Sequence, residues 1–400
     1  MEKLTLREMN VRNRRVLVRV DYNVPIQDGR VTDATRIRET LPTLEYLVGQ
    51  QARIILCSHL GRPKGKSDPR YSLRPVAVEL QTLLSQRLGP PTVVKFCPST
   101  TGPEAEAAAQ AMQPGEVLLL ENLRFQPQEE ANDPAFAEQL AKLADLYVND
   151  AFGSAHRAHA STVGVTRSLP QAGAGLLLEK ELRYLGQALE APEHPYVVIL
   201  GGAKIADKIP VIERLAPLVD VFLIGGGMAY TFLAAQGLPI GGSLFEPDRL
   251  ETARRILDEA APKGRYRLVL PVDHVVAERL EAGVPAQTVD TIAEGQKAFD
   301  IGPRTRALYT EEIRQARMIL WNGPMGVFEI PPFDAGTVAI ARAVGASGAV
   351  SVVGGGDSVA AIYAAGEADR ITHISTGGGA SLEFLGGQEL PGVAALTSTR

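Results

Sequence analysis

Residues 14–23 read RRVLVRVDYN. A short, mostly β-branched apolar run ends abruptly in an acid and an amide. The same form returns along the chain. The first half adds RIILCSHLGR, VVKFCPS, EVLLLENLRF and LYVNDAFG. The second half gives YVVILGGAK, VFLIGGGMAY, YRLVLPVDH, ARMILWNGPMG, AVSVVGGGDS and THISTGGGAS. These runs are apolar throughout rather than alternating, which marks strands covered on both faces. Helical patterns lie between them. Within residues 73–88, Val76, Leu80, Leu83 and Leu84 follow a spacing of three and four, the mark of an amphipathic helix. Residues 133–144, 205–219, 247–261 and 333–344 read the same way. Strands alternating with helices, in two blocks of five or six strands, predict an α/β protein with two doubly wound parallel sheets.

The boundary follows from residues 179–195. Residues 179–190 read as a helix, APEHP at 191–195 breaks it, and a new buried strand starts at Tyr196. The expected organisation is a domain over 1–178, a connecting helix and linker over 179–195, and a second domain over 196–386. Both domains are Rossmann-like in rhythm. No short repeat and no low-complexity stretch interrupts them.

Composition narrows the class. The chain has 400 residues, of which 22% are charged and 45% hydrophobic, an ordinary composition for a globular protein. No apolar run approaches the roughly 18 residues that a spanning helix needs, so no membrane association is expected. The start, MEKLTLREMNVRNRR, has no apolar core of a signal peptide. Cys57 and Cys97 are too few for a disulfide framework and are expected in or beside the core. A net charge of -5 gives no reason to expect nucleic acid. A reduced, cytoplasmic enzyme fits best. Fewer than a third of the 39 glycines precede residue 201, so the two halves are expected to do different jobs.

In open α/β sheets, ligands bind beyond the carboxyl ends of the strands. In the first half those positions hold Asp21 and Asn23, His59 and Arg62, Arg124, and His156 and Arg157, with Arg36 expected in the loop after the first strand. Arginine presents a planar fork that suits carboxylates and phosphates. Four arginines at strand ends point to a pocket for a small, multiply anionic molecule, whose hydroxyls Asp21 and Asn23 could orient. In the second half the strand ends carry Gly201–Gly202, Gly225–Gly227, Gly354–Gly356 and Gly377–Gly379, and the last three are expected to open helices. Glycine lets backbone approach a phosphate, and a helix N-terminus offers free N–H groups. Lys204 and Lys208, four apart, are expected on one helix face to hold a transferring phosphate. Asp357 stands where it could meet Mg²⁺, and Glu329 where it could reach a ribose.

Other motifs fail. GRPKGKS at 61–67 is one residue short of a phosphate-binding loop of the Walker type and leads into SDPRYS rather than an apolar helix. GGGDSV at 354–359 has Val359 where the third glycine of a dinucleotide fingerprint belongs. His156 and His159 have no convincing third ligand for zinc. Asp273 and His274 follow a strand and are read as structural or at a pocket rim.

Taken in order, RVDYNVP (19–25), TDATRI (32–37), SHLGRP (58–63), ENLRF (121–125) and VNDAFGSAHRAH (148–159) resemble the phosphoglycerate kinase family. So do GGAKIADKI (201–209), GGGMAYTFL (225–233), WNGPMGVFE (321–329), GGGDSVA (354–360) and STGGGASLEFL (375–385). The resemblance spans essentially the whole chain. It implies phosphoryl transfer from 1,3-bisphosphoglycerate to ADP, giving 3-phosphoglycerate and ATP. It implies Asp21, Asn23, Arg36, His59, Leu60, Gly61, Arg62, Arg124 and Arg157 on the phosphoglycerate. It implies Lys204, Lys208, Gly225, Gly226, Asn322, Pro324, Glu329, Gly355, Gly356, Asp357 and Ser358 at the nucleotide, with Asp357 toward Mg²⁺. Arg36, Lys204 and Lys208 would serve catalysis. Residues 387–400 would return to the first domain, and a monomer is expected, since family members usually are monomers. One departure stands out. Many members carry glycine just before the hydrophobic residue that contacts the base, whereas here Ala298 precedes Phe299, so Ala298 is not carried over as a binding residue.

The chemistry agrees with the residues. In the ATP-consuming direction the nucleophile is a carboxylate, ionised at pH 7 because its pKa lies near 4, so no general base is needed. The demand is charge neutralisation and positioning, with the two lobes closing on their ligands. A two-lobed NAD-dependent dehydrogenase would need the dinucleotide fingerprint with an acid about 20 residues on, and neither is present. A non-enzymatic anion-binding protein would leave the lysine pair and Asp357 without a role.

Overall fold

A computed structural model of the chain describes residues 3–89, 92–260 and 265–399. The chain divides into two compact units, Met1–Arg183 with Glu389–Arg400, and Tyr184–Gln388. The break falls inside one continuous helix, Leu176–Glu190.

The first unit holds strands β1 (Arg15–Val20), β2 (Ile26–Gln27), β3 (Arg30–Val31), β4 (Arg53–Cys57), β5 (Val94–Cys97), β6 (Val117–Leu120), β7 (Leu146–Asp150) and β8 (Ala172–Ala174). Six of them form a parallel sheet in the order β5-β6-β4-β1-β7-β8, and β2 and β3 form a small separate hairpin. The central strands are buried along nearly their whole length, as a sheet covered on both faces requires. In register, Val18 lies beside Leu56 and Val148. Helix Thr35–Gly49 packs on this core through Ile37, Leu41, Leu44 and Leu47, and helix Arg74–Leu88 through Val76, Leu80, Leu83 and Leu84. Both cysteines are buried and free. β8, the tripeptide Ala-Gly-Ala, has no bulky apolar residue and went unread in the sequence.

The chain's end lies in this unit. Thr397 N–H donates to Ala172 O at 2.9 Å, Leu4 N–H donates to Thr397 O at 2.8 Å, and Gly392 N–H donates to Ala155 O at 2.8 Å. Leu390 and Leu396 are buried. Arg400, the last residue of the expected returning segment, lies outside the described residues, as does Ala261 at the end of the helical pattern 247–261.

The second unit holds β9 (Tyr196–Leu200), β10 (Val221–Ile224), β11 (Arg267–Val269), β12 (His274–Ala277), β13 (Gln287–Val289), β14 (Lys297–Ile301), β15 (Met318–Asn322), β16 (Val350–Gly354) and β17 (His373–Ile374). Its main sheet is again parallel, in the order β11-β10-β9-β15-β16-β17. All-parallel rhythm is not the whole of it. A second sheet, β13-β12-β14, is antiparallel; its strands are short, and β13 and the start of β14 are exposed. The expected helix over 205–219 is also shorter. It runs Ile209–Leu215, because residues 205–208 form a turn that closes on Ile205 O. Among the described residues, no helix is long and apolar enough to cross a membrane.

Candidate functional site

Four adjacent strands of the first unit, β6-β4-β1-β7, bring their carboxyl ends side by side. The residues that follow them are held by one another. Asp21, just after β1, accepts from Arg36 Nη1 at 3.0 Å. Its other oxygen accepts from Asn23 N–H at 3.2 Å. Asn23 Oδ1 accepts from Gly61 N–H at 2.9 Å, which leaves the Asn23 amide nitrogen as the donor it can offer. Arg36 is not in a loop. It occupies the first turn of helix Thr35–Gly49, entered from Asp33, whose carboxylate accepts from Thr35 N–H and Oγ1. The helix thus aims the guanidinium from a rigid element.

The loop after β4 is tied to the loop after β6 by Asn122. Leu60 N–H donates to Asn122 Oδ1 at 3.1 Å, and Asn122 Nδ2 donates to Leu60 O at 2.7 Å. Arg124 Nη1 donates to Gly61 O at 2.8 Å, and Arg124 Nε lies 3.3 Å from Glu130 Oε1. Arg157 is half-buried and donates through Nε to His156 Nε2 at 3.1 Å. Arg62 is exposed.

His59 lies among these groups, 7% exposed. Burial holds its pKa well below the ordinary histidine value, and the positive charges of Arg19, Arg124, Arg36 and Arg157 push it the same way. His59 is therefore neutral at pH 7, a polar donor among four guanidinium groups. Arg19 was not anticipated. It is 1% exposed, the next-to-last residue of β1, and its signal was a charge inside the apolar run VLVRV. Buried Glu129, beneath it, was equally unread; burial raises its pKa while Arg19 opposes the shift.

In the second unit, loops after β9, β15 and β16 and the start of helix Gly379–Leu385 line an open cavity of about 450 Å³. Lys204, Lys208, Asn322, Pro324 and the run Gly355–Ser358 line it. So do Gly201, Gly202 and Gly378, members of the glycine clusters, and Asp207, which the sequence reading did not single out. Gly227, Gly355 and Gly378 are N-caps of helices, so each of those three clusters opens a helix. Gly355 has φ +90°, a left-handed conformation that admits glycine readily. It turns the chain from β16 into helix Gly356–Ala364 at the cavity wall.

Gly225, Gly226 and Glu329 do not line this cavity. A Cβ at Gly226 would lie 2.6 Å from both Gly202 N and Gly202 O, so that glycine lets the loop after β10 pack behind the lining loop. Glu329 is exposed beyond it.

The two lysines do not share a helix face. Lys204 is exposed and precedes the helix, while Lys208 is buried and is its N-cap. Lys208 Nζ donates to Asn322 Oδ1. Burial pulls its pKa down to about 8, against the opposing charges of Asp207 and Asp357. Asn322 Nδ2 is buried without a partner. Asp357 is an exposed carboxylate in the first turn of its helix, and Ser358 Oγ accepts from Gly323 N–H at 2.6 Å. Magnesium takes one or two carboxylates plus phosphate oxygens and water, so this donor set fits a metal carried by a nucleotide.

The alanine at 298 leaves the cavity alone. Its methyl group packs with Tyr230, Leu233, Val276 and Ile292, whereas Phe299 packs on a separate cluster against Phe333, ring centroids 5.0 Å apart.

The family model described as phosphoglycerate kinase matches residues 6–388. The chain is similar to the phosphoglycerate kinase of Koribacter versatilis, 57% identical over 403 residues and covering 100% of both chains. It is likewise similar to that of Moorella thermoacetica, 57% identical over 399 residues, 99% of this chain and 100% of that one. Among solved structures, phosphoglycerate kinase from Coxiella burnetii superposes with a TM-score of 0.87 at 41% identity, over 98% of each chain. That from Pyrococcus horikoshii gives 0.81 at 35% identity, again over 98% of each.

Proposed function

The chain belongs to the phosphoglycerate kinase family, and from that premise we propose that its first unit holds the phosphoglycerate and its second the magnesium nucleotide. The reaction is reversible transfer of a phosphoryl group between 1,3-bisphosphoglycerate and ADP. The observation that carries the assignment is His59, neutral and ringed by Arg19, Arg124, Arg36 and Arg157. A site with that many cations suits an anion whose nucleophile is already ionised.

In this reading Arg36, Arg124, Arg157 and His59 hold the carboxylate and phosphate of the phosphoglycerate, with Arg62 at the exposed rim. Asp21 and Asn23 orient its hydroxyl. The glycine-lined backbone, Asn322, Pro324 and Ser358 cradle the nucleotide phosphates, and Lys208 and Lys204 neutralise them. Asp357 is the residue that would hold Mg²⁺, which supplies further charge neutralisation on the phosphates when bound. Transfer asks for alignment and charge stabilisation rather than proton removal, and the cations present are the groups for it. The protein acts as a cytoplasmic monomer in this reading, and sedimentation of the purified chain tests the second term.

Thermal shift tests the ligand assignment. A ligand at 100 times its Kd stabilises the state it binds by about 2.7 kcal/mol. Both 3-phosphoglycerate and MgATP are expected to raise Tm, and NAD to leave it unchanged. A shift with NAD and none with the other two would favour the dehydrogenase.

A further inference from the structure

Arg19 is a charged residue sealed inside a sheet, and its contacts run in one line toward the candidate phosphoglycerate site. Glu129 is fully buried; its Oε1 accepts from Ser161 Oγ at 2.5 Å and its Oε2 from Ser161 N–H at 3.0 Å. Ser161 Oγ accepts in turn from Arg19 Nε at 2.8 Å. Arg19 Nη1 donates to Val20 O. Arg19 Nη2 lies 3.1 Å from His59 Nδ1. Each nitrogen of this guanidinium thus has one named neighbour: Ser161 at Nε, Val20 at Nη1 and His59 at Nη2.

The donor and acceptor roles at the last link are fixed by chemistry. Guanidinium has five N–H donors, no acceptor and no accessible deprotonated form. His59 Nδ1 must therefore accept. A neutral imidazole that accepts at Nδ1 carries its single proton on Nε2. A doubly protonated ring would set N–H against N–H. We propose that Arg19 is a positioning residue that locks His59 as the neutral Nε2–H tautomer, so that His59 offers a ligand an uncharged donor of fixed orientation.

Burial and the charges of Arg19, Arg124, Arg36 and Arg157 all disfavour the imidazolium, which agrees with the geometry. The consequence for phosphoglycerate rests on the proposed function; the tautomer itself does not. His59 then contributes specificity by direction, and the arginines contribute the charge. Removing Arg19 would leave Nδ1 free to take a proton, and the same ring would become a pH-dependent cation beside the three remaining guanidinium groups.

The test is NMR of the full-length chain labelled with ¹⁵N-histidine, with the His59 signals identified by their loss in His59→Gln. Two-bond ¹H–¹⁵N correlation reports which nitrogen carries the proton. Between pH 5 and 8, the range in which histidine ordinarily titrates, wild type is expected to show a bare Nδ1, a protonated Nε2 and no titration. In Arg19→Met, His59 is expected to titrate in that range. KM for 3-phosphoglycerate should rise about ten-fold or more at pH 8 and fall again toward acid pH as the imidazolium forms. Both kcat and KM for MgATP should change much less. Arg19→Lys, which keeps a charge and a donor, should restore part of the wild-type spectrum. Should Arg19→Met fail to fold, the wild-type spectrum and Ser161→Ala, which frees the Nε side of Arg19, still decide. A proton on Nδ1 in wild type, or ordinary titration of His59 there, overturns the proposal. So does an Arg19→Met spectrum identical to wild type. If 3-phosphoglycerate leaves the His59 signals unmoved while Nδ1 stays bare, the substrate role of His59 falls and the lock stands.

Discussion

Lys208, a phosphate ligand in the proposed function, is caught between two demands: its ammonium would face phosphates, yet it is buried. Desolvation lowers its pKa to about 8 from an ordinary value of 10.5. In the free protein the ammonium therefore loses its proton as pH rises through about 8, and a bound phosphate, which favours the charged form, must then bring the proton back. MgADP affinity, measured by calorimetry, should hold steady below pH 8 and weaken above it with uptake of a proton. Lys208→Arg should abolish that limb, because arginine stays charged. Arg36 gives a second prediction. Its partner is Asp21 at 3.0 Å, and in the proposed function it compensates charge on the moving phosphoryl group. Arg36→Ala should lower kcat about a hundred- to a thousand-fold, and near-wild-type turnover in steady-state assays would remove it from that role. Both residues were picked out of the sequence because a cation in the segment that follows a buried strand stands near the ligand edge of an open sheet, although the helix that carries Arg36 and the turn that sets Lys208 were not foreseen. Arg19 was not legible, because a single charge inside an apolar run looks like part of the strand, and only its contacts with Ser161 and His59 reveal its place.

Elements are held by buried caps that sequence patterns do not show. Helix Leu176–Glu190 begins where Leu177 N–H and Leu178 N–H donate to Asp150 Oδ1 at 2.9 and 3.2 Å and Leu176 N–H donates to Thr43 Oγ1 at 3.0 Å. Asp150 is fully buried, and burial raises its pKa to about 7. The unfolded chain releases this proton near pH 4. Between about pH 4 and 7 the native state binds the proton more tightly, so this group's contribution to stability falls as pH rises through that window. Asp300 behaves likewise in the second unit, its pKa also raised to about 7 by burial. Asp150→Asn should flatten the pH dependence of the first unit's unfolding free energy over that window. Asp150→Ala, which orphans two buried N–H groups, should cost about 1–3 kcal/mol in urea titrations. The strand–helix rhythm itself was readable, since a buried parallel sheet demands continuous apolar runs and glycine must open helices at a phosphate site. Three elements escaped for physical reasons. β8 is all small residues. In the sheet of β12, β13 and β14 the strands are short and only β12 is buried throughout. The turn at 205–208 precedes its helix because Ile205 O already accepts from Lys208 and Ile209, which separates Lys204 from Lys208.

At the scale of the whole molecule, the chain's last residues complete the first unit. Leu390 and Leu396 are 2% and 3% exposed, and Lys3 Nζ donates to Ala394 O and Leu396 O at 2.8 and 2.9 Å. Burying two leucines stabilises by about 3–6 kcal/mol. Removing residues 389–400 should therefore shift the first unit's urea transition to lower denaturant and leave MgADP affinity at the second unit unchanged. An unchanged transition would contradict that role. The central claim is phosphoryl transfer between phosphoglycerate and a magnesium nucleotide by cation pockets without a general base. Its most direct measurement mixes the full chain with 3-phosphoglycerate and MgATP and draws the acyl phosphate forward with an NADH-linked dehydrogenase. The account predicts NADH loss that requires both substrates and falls steeply in Arg36→Ala. No substrate-dependent NADH loss, with the coupling enzyme shown to be active, would contradict it.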